Sequence, residues 1–304
     1  MIKRIKLFFD QIYNISRKIE DLQIAIGRIE NRQVQTYSLK DINEYEFKVT
    51  SQWGEDGIIQ FLINKIPIKN KIFVEFGVES YQEANTRFLL LNNNWSGLVI
   101  DGSELNINKI KKNPIYWRYN LKAINHFIDK DNINSILENN GIMDEIGLLS
   151  IDIDGNDYWV WESISVIKPQ IVICEYNSIF GSKLKISTIY DAKYIRSNAH
   201  YSNLYYGASI SALEYLATKK GYVLVGSNSA GNNVFFVKNE YASLFKTKTS
   251  LEAYVKSQFR ESRSKDGTLL LTTASESVNL INNLNVQEVE SGKIFSINEL
   301  ELNS

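Results

Sequence analysis

The sequence predicts an α/β fold with a mostly parallel, Rossmann-like sheet that ends in an antiparallel hairpin. Between about residues 47 and 240, short apolar runs alternate with amphipathic segments, which is typical of strand–helix–strand units. The last two apolar runs, 222–226 and 234–237, are separated only by turn-forming residues, so these strands must be antiparallel. The chain therefore divides into an N-terminal coiled-coil helix, an α/β domain and a small C-terminal appendage (residues 1–35, 36–245 and 246–304).

The individual elements follow from the apolar periodicity. Buried strands are predicted at 72–76, 98–101, 115–118, 148–153 and 171–175, and helices at 83–92, 124–138, 158–164 and 209–220. Gly221 follows the last of these helices, where a left-handed cap is favoured. In the appendage, residues 251–259 are predicted to be helical and 262–267 to form a loop.

The N-terminal arm carries an apolar heptad pattern. Apolar residues recur at alternating steps of three and four: Ile5, Phe8, Ile12, Ile15, Ile19, Leu22, Ile26 and Ile29. Such a seam predicts self-association as a dimer or trimer. Two alternatives are that this stripe packs against its own domain, or that the arm lies on a membrane surface through Lys3, Arg4 and Lys6 beside Phe8 and Phe9.

Composition excludes several classes of protein. The formal net charge of −1 over 304 residues gives no basic footprint for nucleic acid. A single cysteine, Cys174, excludes a disulfide framework within the chain and multi-thiolate zinc sites. The apolar stretch near the N-terminus is too short for a signal peptide, and no run approaches a membrane span, so a cytoplasmic location is predicted.

The first predicted strand ends in a glycine turn with acidic neighbours. Gly77 follows the strand, and ligands of open α/β sheets bind where strands end. The turn lacks the glycines of a dinucleotide fingerprint, since positions 79 and 82 are Glu and Gln. Glu75 and Glu79 would repel a pyrophosphate but favour the positive sulfonium and amino groups of S-adenosylmethionine. Asp101, ending the second strand, can accept the ribose hydroxyls. The terminal hairpin is likewise the arrangement of class I methyltransferases.

Several motifs carry a resemblance to a known family. In SQWGED (51–56), EFG (75–77), IDIDGNDYW (151–159), CEYN (174–177) and YGAS (206–209) the chain resembles the FkbM-like methyltransferases, specifically the branch encoded with bacterial capsule and lipopolysaccharide sugar genes. The resemblance covers about residues 45–240. It implies transfer of a methyl group to an oxygen of a glycan sugar or its activated precursor. The chain departs from the family at Asp154-Gly155, where Glu-Gly is commoner, and this leaves a metal role open.

Acidic residues follow the fourth and fifth predicted strands. Adjacent parallel strands lie about 4.8 Å apart, so these groups can converge. In one hypothesis Asp154, Glu175 and Asn177 hold Mg²⁺ or Mn²⁺, which polarises a sugar hydroxyl. In a second, Asp154 is a metal-free base while Asp157 and Glu175 bind sugar hydroxyls. In a third, the cluster is structural.

The complete prediction assigns a role to each candidate residue. Asp154 or His200 serves as catalytic base, His200 lying in a polar loop after the fifth strand. Asp157 and Tyr206 contact the substrate. The cofactor is predicted to contact Gln52, Glu75, Gly77, Glu79, Asp101, Ser103 and Asp152. Two alternatives for the whole protein are an NAD-type oxidoreductase and a non-catalytic oligomeric scaffold with a degenerate Rossmann fold.

Overall fold

The computed structural model describes residues 2–37, 41–258 and 262–301. Its helices are α1 Ile2–Val34, α2 Glu55–Lys65, α3 Arg87–Asn93, α4 Glu104–Lys112, α5 Pro114–Arg118, α6 Ile133–Asn139, α7 Asp157–Ser163, α8 Arg196–Ala199, α9 Ile210–Lys219, α10 Ser250–Ala253 and α11 Ala274–Ile281. Its strands are β1 Ile72–Phe76, β2 Ser96–Asp101, β3 Leu121–Asn125, β4 Asp144–Ile151, β5 Ile167–Glu175, β6 Ile186–Thr188, β7 Tyr222–Ser227, β8 Asn233–Lys238, β9 Asn285–Glu288 and β10 Ile294–Ser296.

A seven-stranded sheet forms the centre of the molecule, in the order β3-β2-β1-β4-β5-β8-β7. Strands β1 to β5 pair in parallel, whereas β8 runs antiparallel to both β5 and β7. This order, with its terminal antiparallel hairpin, confirms the predicted Rossmann-like class I methyltransferase fold. The strand order reverses between β1 and β4, which places a crevice at their carboxyl ends.

The hydrophobic core lies on both faces of this sheet. Successive strand residues point to opposite faces, so Val74 and Phe76 pack with α6, α7 and α9 while Phe73 packs with α2, α3 and α4. Both faces are fully covered, which explains why β1, β4 and β5 read as continuous apolar runs rather than alternating ones.

The third strand lies later in the chain than predicted. Residues 115–118 belong to helix α5, because Asn113 caps the helix through its side chain and Pro114 occupies the first turn, where proline is favoured. The strand is instead β3, Leu121–Asn125. The predicted helix over 124–138 is correspondingly wrong in its first half, since α6 begins only at Ile133. His126 therefore lies in a loop after β3 and not in a helix.

Helix α1 packs on the domain through a different face from the heptad seam. Ile24 and Gly27 are buried, and a Cβ added to Gly27 would lie 2.4 Å from Val49, so the helix backbone approaches the domain closely. Arg87 of α3, which is almost fully buried, pairs with Glu20. The described seam residues remain 46–62% exposed: Ile12, Ile15, Ile19, Leu22, Ile26 and Ile29. The side chains of Ile5, Phe8, Lys3, Lys6 and Phe9 lie outside the described residues. No described helix is long and apolar enough to cross a membrane.

The C-terminal appendage completes a second, smaller sheet. Strand β9 pairs antiparallel with β10 and with β6, which lies within the preceding α/β domain. Ile281, Val286 and Ile297 bury their side chains against Phe180 and Ile186. The helix predicted over 251–259 is shorter in the structure, where α10 ends at Ala253 and residues 254–258 have no regular secondary structure; residue 259 lies outside the described residues.

Candidate active site

A cleft runs along the carboxyl ends of the central strands. Its larger part is a cavity of 710 Å³ at the ends of β1, β4 and β5. Its smaller part, of 160 Å³, lies beside the end of β2. Gly77, Glu79, Asp152 and Asp154 line both parts, so the two form one continuous site at the strand-order reversal.

The turn after β1 brings its backbone unusually close to β4. Gly77 has φ +69°, and a Cβ there would lie 1.6 Å from the carbonyl oxygen of Asp152. Only glycine satisfies both constraints. Two further residues of this loop, Glu79 and Tyr81, hold left-handed backbone conformations that side chains disfavour, at φ +46° and +58°. Backbone strain is thus concentrated where the cleft opens.

Asp101 closes the turn at the end of β2. Its Oδ2 accepts from the backbone N–H of Glu79 at 2.7 Å, and its Oδ1 accepts from Ser103 N–H at 2.8 Å. The carboxylate therefore ties the loops after β1 and β2 together while lining the smaller cavity. Ser103 lies outside the lining of both cavities and caps α4 instead, its Oγ accepting from Asn106 N–H at 3.4 Å.

Glu75 is buried within β1 and belongs to the loop scaffold as much as to the cavity wall. Its carboxylate accepts from Asn85 N–H at 2.8 Å, from Thr86 N–H at 3.1 Å and from the Thr86 hydroxyl. Burial raises the pKa of Glu75 to about 7 even though these hydrogen bonds favour the ionised form. Gln52 and Glu79, also predicted to contact the cofactor, both line the larger cavity.

Three carboxylates converge at the ends of β4 and β5. Asp152, Asp154 and Glu175 each offer an oxygen within 4.8 Å of the others. Burial, and then the charges of the other carboxylates, raises the pKa of Asp152 and of Glu175 well above the usual range. Glu175 Oε2 is buried without a hydrogen-bond partner among the described residues. Such an oxygen needs a proton or a cation to offset its desolvation.

Arg196, at the start of α8, faces this cluster from the opposite wall. Its guanidinium pairs with Asp154 at 2.7 Å, donates to the Asn203 carbonyl at 2.7 Å and stacks 3.7 Å from the ring centroid of Tyr206. The Arg196 side chain is 13% exposed, against 58% for Asp154. Asp154 is therefore the solvent-facing member of the cluster.

The structure places two predicted residues in the scaffold instead of the cavity. Asn177 was expected to bind metal, but its amide donates to the carbonyls of Leu204 and Tyr206 and its Oδ1 accepts from Ile179 N–H. Asp152 takes its place beside Asp154 and Glu175. Asp157, expected to bind substrate, is fully buried and accepts from Ile153 and Gly155 N–H at 2.9 Å, which holds the turn after β4.

His200 and Tyr206 also differ from expectation. His200 lies outside the lining of the cleft, with Nδ1 2.7 Å from Ser202 Oγ and its ring against Tyr201. Burial lowers the pKa of His200, but its position gives it no access to the carboxylates. Tyr206 is 5% exposed and lines a neighbouring cavity, where its ring supports Arg196.

The 51–56 motif positions the cavity wall through its acidic residues. Buried Asp56 accepts from the backbone N–H groups of Val49, Thr50 and Ser51. Glu55 accepts from Asn228 and Asn233 at 2.7 and 2.9 Å, which fastens the β7–β8 loop to the site. In the sequence, that loop is recognisable only as a run of turn-forming residues. Asn233 lines the larger cavity, and its Oδ1 is buried and unpaired among the described residues. No sequence motif marks this residue as part of the site.

Comparisons with known proteins give structural likenesses only. No family model and no curated protein sequence matches the chain. Similar solved structures include the N-terminal domain of EvdMO1 with SAH bound (9% identity, 69% of this chain and 95% of that one, TM-score 0.41). They also include an O-methyltransferase from Bacillus cereus in complex with SAH (13%, 71% and 91%, 0.40) and a putative RNA methyltransferase from Pyrococcus horikoshii (11%, 70% and 96%, 0.37).

Proposed function

We propose that this protein is an S-adenosylmethionine-dependent O-methyltransferase acting on a sugar of a bacterial surface glycan or of its activated precursor. The observation that carries the proposal is one cleft at the strand-order reversal, which joins the Gly77 turn, Asp101 and the cluster of Asp152, Asp154 and Glu175. Ligands of open α/β sheets bind at this position.

The cofactor supplies a methyl group already activated by its sulfonium. The chain's residues bind and orient the two reactants. Asp101 faces the smaller cavity, where a carboxylate suits ribose hydroxyls. The acidic wall around Glu75, Glu79 and Asp152 suits the positive groups of the cofactor. Asp154, exposed and across from Arg196, lies toward the acceptor and is the group placed to take the hydroxyl proton.

The carboxylate cluster also fits a divalent cation. Its donors are oxygens, which Mg²⁺ and Mn²⁺ prefer, and the buried Glu175 Oε2 lacks a partner among the described residues. Asp152, Asp154 and Glu175 would hold the ion, which would supply Lewis-acid polarisation of the acceptor hydroxyl. Because Arg196 already pairs with Asp154, ion binding requires this side chain to share or release that carboxylate.

The sugar acceptor is supported by the motif resemblance and by the wall opposite the carboxylates. Tyr194, Arg196 and Asn203 line this wall, giving an aromatic face with polar groups around it. Tyr194 packs directly over Gly155, where a Cβ would lie 2.1 Å from its ring. Aromatic faces bordered by hydrogen-bonding groups are suited to carbohydrate rings and their hydroxyls.

Calorimetric titration with S-adenosylhomocysteine, and separately with NAD, tests the proposal. We expect S-adenosylhomocysteine to bind and NAD not to bind. Asp101→Asn, which preserves the side-chain shape, should weaken S-adenosylhomocysteine about tenfold or more through loss of a charged hydrogen bond. The control is Asp131→Asn, which removes an exposed carboxylate from the same half of the chain. Binding of NAD alone would reject the proposed function, and unchanged affinity in Asp101→Asn would reject the ribose assignment.

A further inference from the structure

A second cavity, of 420 Å³, adjoins the candidate active site. Its walls are the segment after β5, residues 254–258 and the start of α11. Arg196 lines both cavities. Glu175 lines the first and Asn177 the second, and two residues of extended chain span only about 7 Å. The two cavities therefore lie side by side and share a wall at Arg196.

The two cavities differ in the kind of ionisable side chain that lines them, acidic in the first and basic in the second. The first is lined by six carboxylates against Arg196 and Arg263: Glu75, Glu79, Glu83, Asp152, Asp154 and Glu175. Among the described residues that line the second there is no carboxylate, and its charged side chains are Arg196 and Lys256. A cavity whose charged side chains are all positive attracts anions. The second cavity therefore suits a different part of the ligand from the first.

Lys256 lies on a segment that is firmly attached to the domain. Beside it, the Tyr254 hydroxyl donates to the Ser178 carbonyl at 2.8 Å and Ser257 N–H donates to Ser178 Oγ at 3.1 Å. Gln258 N–H donates to the Ala230 carbonyl at 2.8 Å. Within the described residues Lys256 has no ion-pair partner, in contrast to Arg196. The backbone at Lys256 is therefore held beside the cavity, and its side chain is exposed and lines the cavity wall.

The remaining wall offers hydroxyl groups. Ser262 Oγ lies 2.8 Å from Thr272 Oγ1, which lies 2.9 Å from Ser277 Oγ, so the three form a chain at the start of α11. The Ser262 hydroxyl also donates to the Leu270 carbonyl and the Ser277 hydroxyl to the Thr273 carbonyl, so these protons must rotate away from the carbonyls to donate to an incoming oxygen anion. Together with the two cations, they supply donors on several sides of the cavity, which is the requirement for binding a tetrahedral oxyanion.

We propose that the acceptor carries a phosphate group, which binds in the second cavity between Lys256 and Arg196 while the hydroxyl to be methylated lies at the carboxylates of the first. This inference rests on the proposed methyltransferase function and narrows its substrate to phosphorylated or diphosphate-linked sugars.

Calorimetry with inorganic pyrophosphate, in the presence of EDTA so that no metal bridges it to the carboxylates, tests this assignment. Wild-type protein should bind pyrophosphate, and Lys256→Gln should weaken binding about tenfold or more, as expected for one charge-assisted hydrogen bond. Lys256→Arg retains the charge and should stay within about threefold of wild type. Lys293→Gln, the same charge change on an exposed turn of the appendage, should bind as wild type does.

S-adenosylhomocysteine is titrated into each variant as the second measurement. Normal S-adenosylhomocysteine binding with no pyrophosphate binding, or with equal pyrophosphate affinity in wild type and Lys256→Gln, overturns the phosphate site and leaves the proposed function standing. Failure of wild-type protein to bind S-adenosylhomocysteine counts against the proposed function itself, whatever pyrophosphate does. Binding of an uncharged sugar in place of pyrophosphate would assign the cavity to a second sugar unit and reject the phosphate.

Discussion

At the scale of single residues, Asp154 is the carboxylate of the cluster that solvent can reach. It adopts a left-handed backbone conformation, φ +57°, which aspartate tolerates better than most residues. This conformation, set by the turn that Asp157 holds, leaves the Asp154 side chain facing solvent and Arg196. Asp152 and Glu175 lie deeper. The cluster thus has one accessible carboxylate and two shielded ones, and the accessible one lies at the cavity wall beside Arg196.

Asp154→Asn separates the three roles open to this residue. If the cluster holds a cation, wild-type methyl transfer should vanish with a chelator and return with Mg²⁺ or Mn²⁺, and the variant should lose activity while S-adenosylhomocysteine affinity is nearly unchanged. If Asp154 is a metal-free base, the variant is inactive but wild-type activity ignores the chelator. A purely structural role would instead show as a lower melting temperature with activity retained in the folded fraction. Asp131→Asn is the control. Full activity in Asp154→Asn would remove Asp154 from the site.

Glu75 makes the stability of the metal-free protein depend on pH. Its pKa is about 7 in the folded state against 4.5 for an ordinary glutamate. Between these values the folded protein binds more protons than the unfolded chain, so the free energy of unfolding rises as pH falls from 7 toward 4.5. The full contribution of this group is roughly 3 kcal/mol. Asp157, whose pKa burial raises to about 6, acts in the same direction.

Chemical denaturation in EDTA at pH 8 and pH 5 measures this effect. Wild-type protein should be more stable at pH 5. Glu75→Gln, which carries no charge at either pH, should reduce that difference by about 3 kcal/mol, whatever its absolute stability. Glu138→Gln, on the exposed side of α6, is the matched control. If the free energy of unfolding depended on pH equally in wild type and Glu75→Gln, the raised pKa of Glu75 would be contradicted.

At the scale of elements, α1 carries two stripes on roughly opposite sides of one helix. Glu20, Ile24 and Gly27 lie on the stripe that packs against the domain. The heptad seam stays exposed along the described part of the helix. A single apolar stripe could be explained either by packing on the domain or by self-association. Because α1 has two stripes, both can occur in this protein. A contiguous exposed aliphatic row favours burial against a second copy, since heptad seams pair with one another.

Ile15→Glu combined with Leu22→Glu tests the self-association that the heptad seam predicts. Light scattering is expected to give a smaller mass, because two charges per helix cannot be buried in a heptad seam. Melting temperature and S-adenosylhomocysteine affinity should stay near wild type, since this stripe does not touch the domain. Asn14→Glu combined with Gln35→Glu adds the same charge at exposed positions outside both stripes and is the control. An unchanged mass in the seam variant would exclude the seam as the assembly element. Deleting residues 1–35 is less informative, because it also removes Ile24 and the partner of Arg87.

At the scale of the whole molecule, the appendage is joined to the α/β domain through β6 and closes one side of the cleft. Arg263 and Leu269, which form a bridge within the loop after residue 261, line the larger cavity. Lys248 pairs with Asp41 at 2.9 Å, near the start of the domain. Removing everything after Lys246 would therefore expose the core of the second sheet as well as one wall of the larger cavity.

Arg263→Ala is the sharper test of the appendage in catalysis. We expect the KM for the acceptor to rise about tenfold, because a charged hydrogen-bond donor is lost from the cavity wall. S-adenosylhomocysteine affinity should be unchanged, since the proposed cofactor site lies toward β1 and β2. Lys265→Ala, on the same loop and outside the lining of the larger cavity, is the control. Equal acceptor KM in wild type and Arg263→Ala would show that the appendage only stabilises the fold.

Local patterns were sufficient for much of the fold and less of the site. The strand–helix alternation, the glycine turn at Gly77 and the terminal hairpin depend on near neighbours in sequence, and the structure has them as predicted. The third strand was misplaced because Ile115 to Arg118 is an apolar run whose helical start depends on the Asn113 cap and Pro114. Asp152, Asp154 and Glu175 were each recognisable as acidic residues at the ends of strands. Which of the acidic side chains face the cavity could not be predicted from the sequence.

The fold class, the heptad seam of the N-terminal helix and the strand ends that line the cleft were predictable from the sequence, because each depends on periodicity or on residues a few positions apart. Packing between distant parts of the chain determines that Asn177 and Asp157 hold loops while Asp152 joins the cluster, that His200 lies outside the cleft, and that Arg196 faces Asp154 from 42 residues away. It also determines that the helix uses a second face against the domain. These outcomes depend on which buried polar groups find partners across the chain, and that competition is settled only when all the elements are packed.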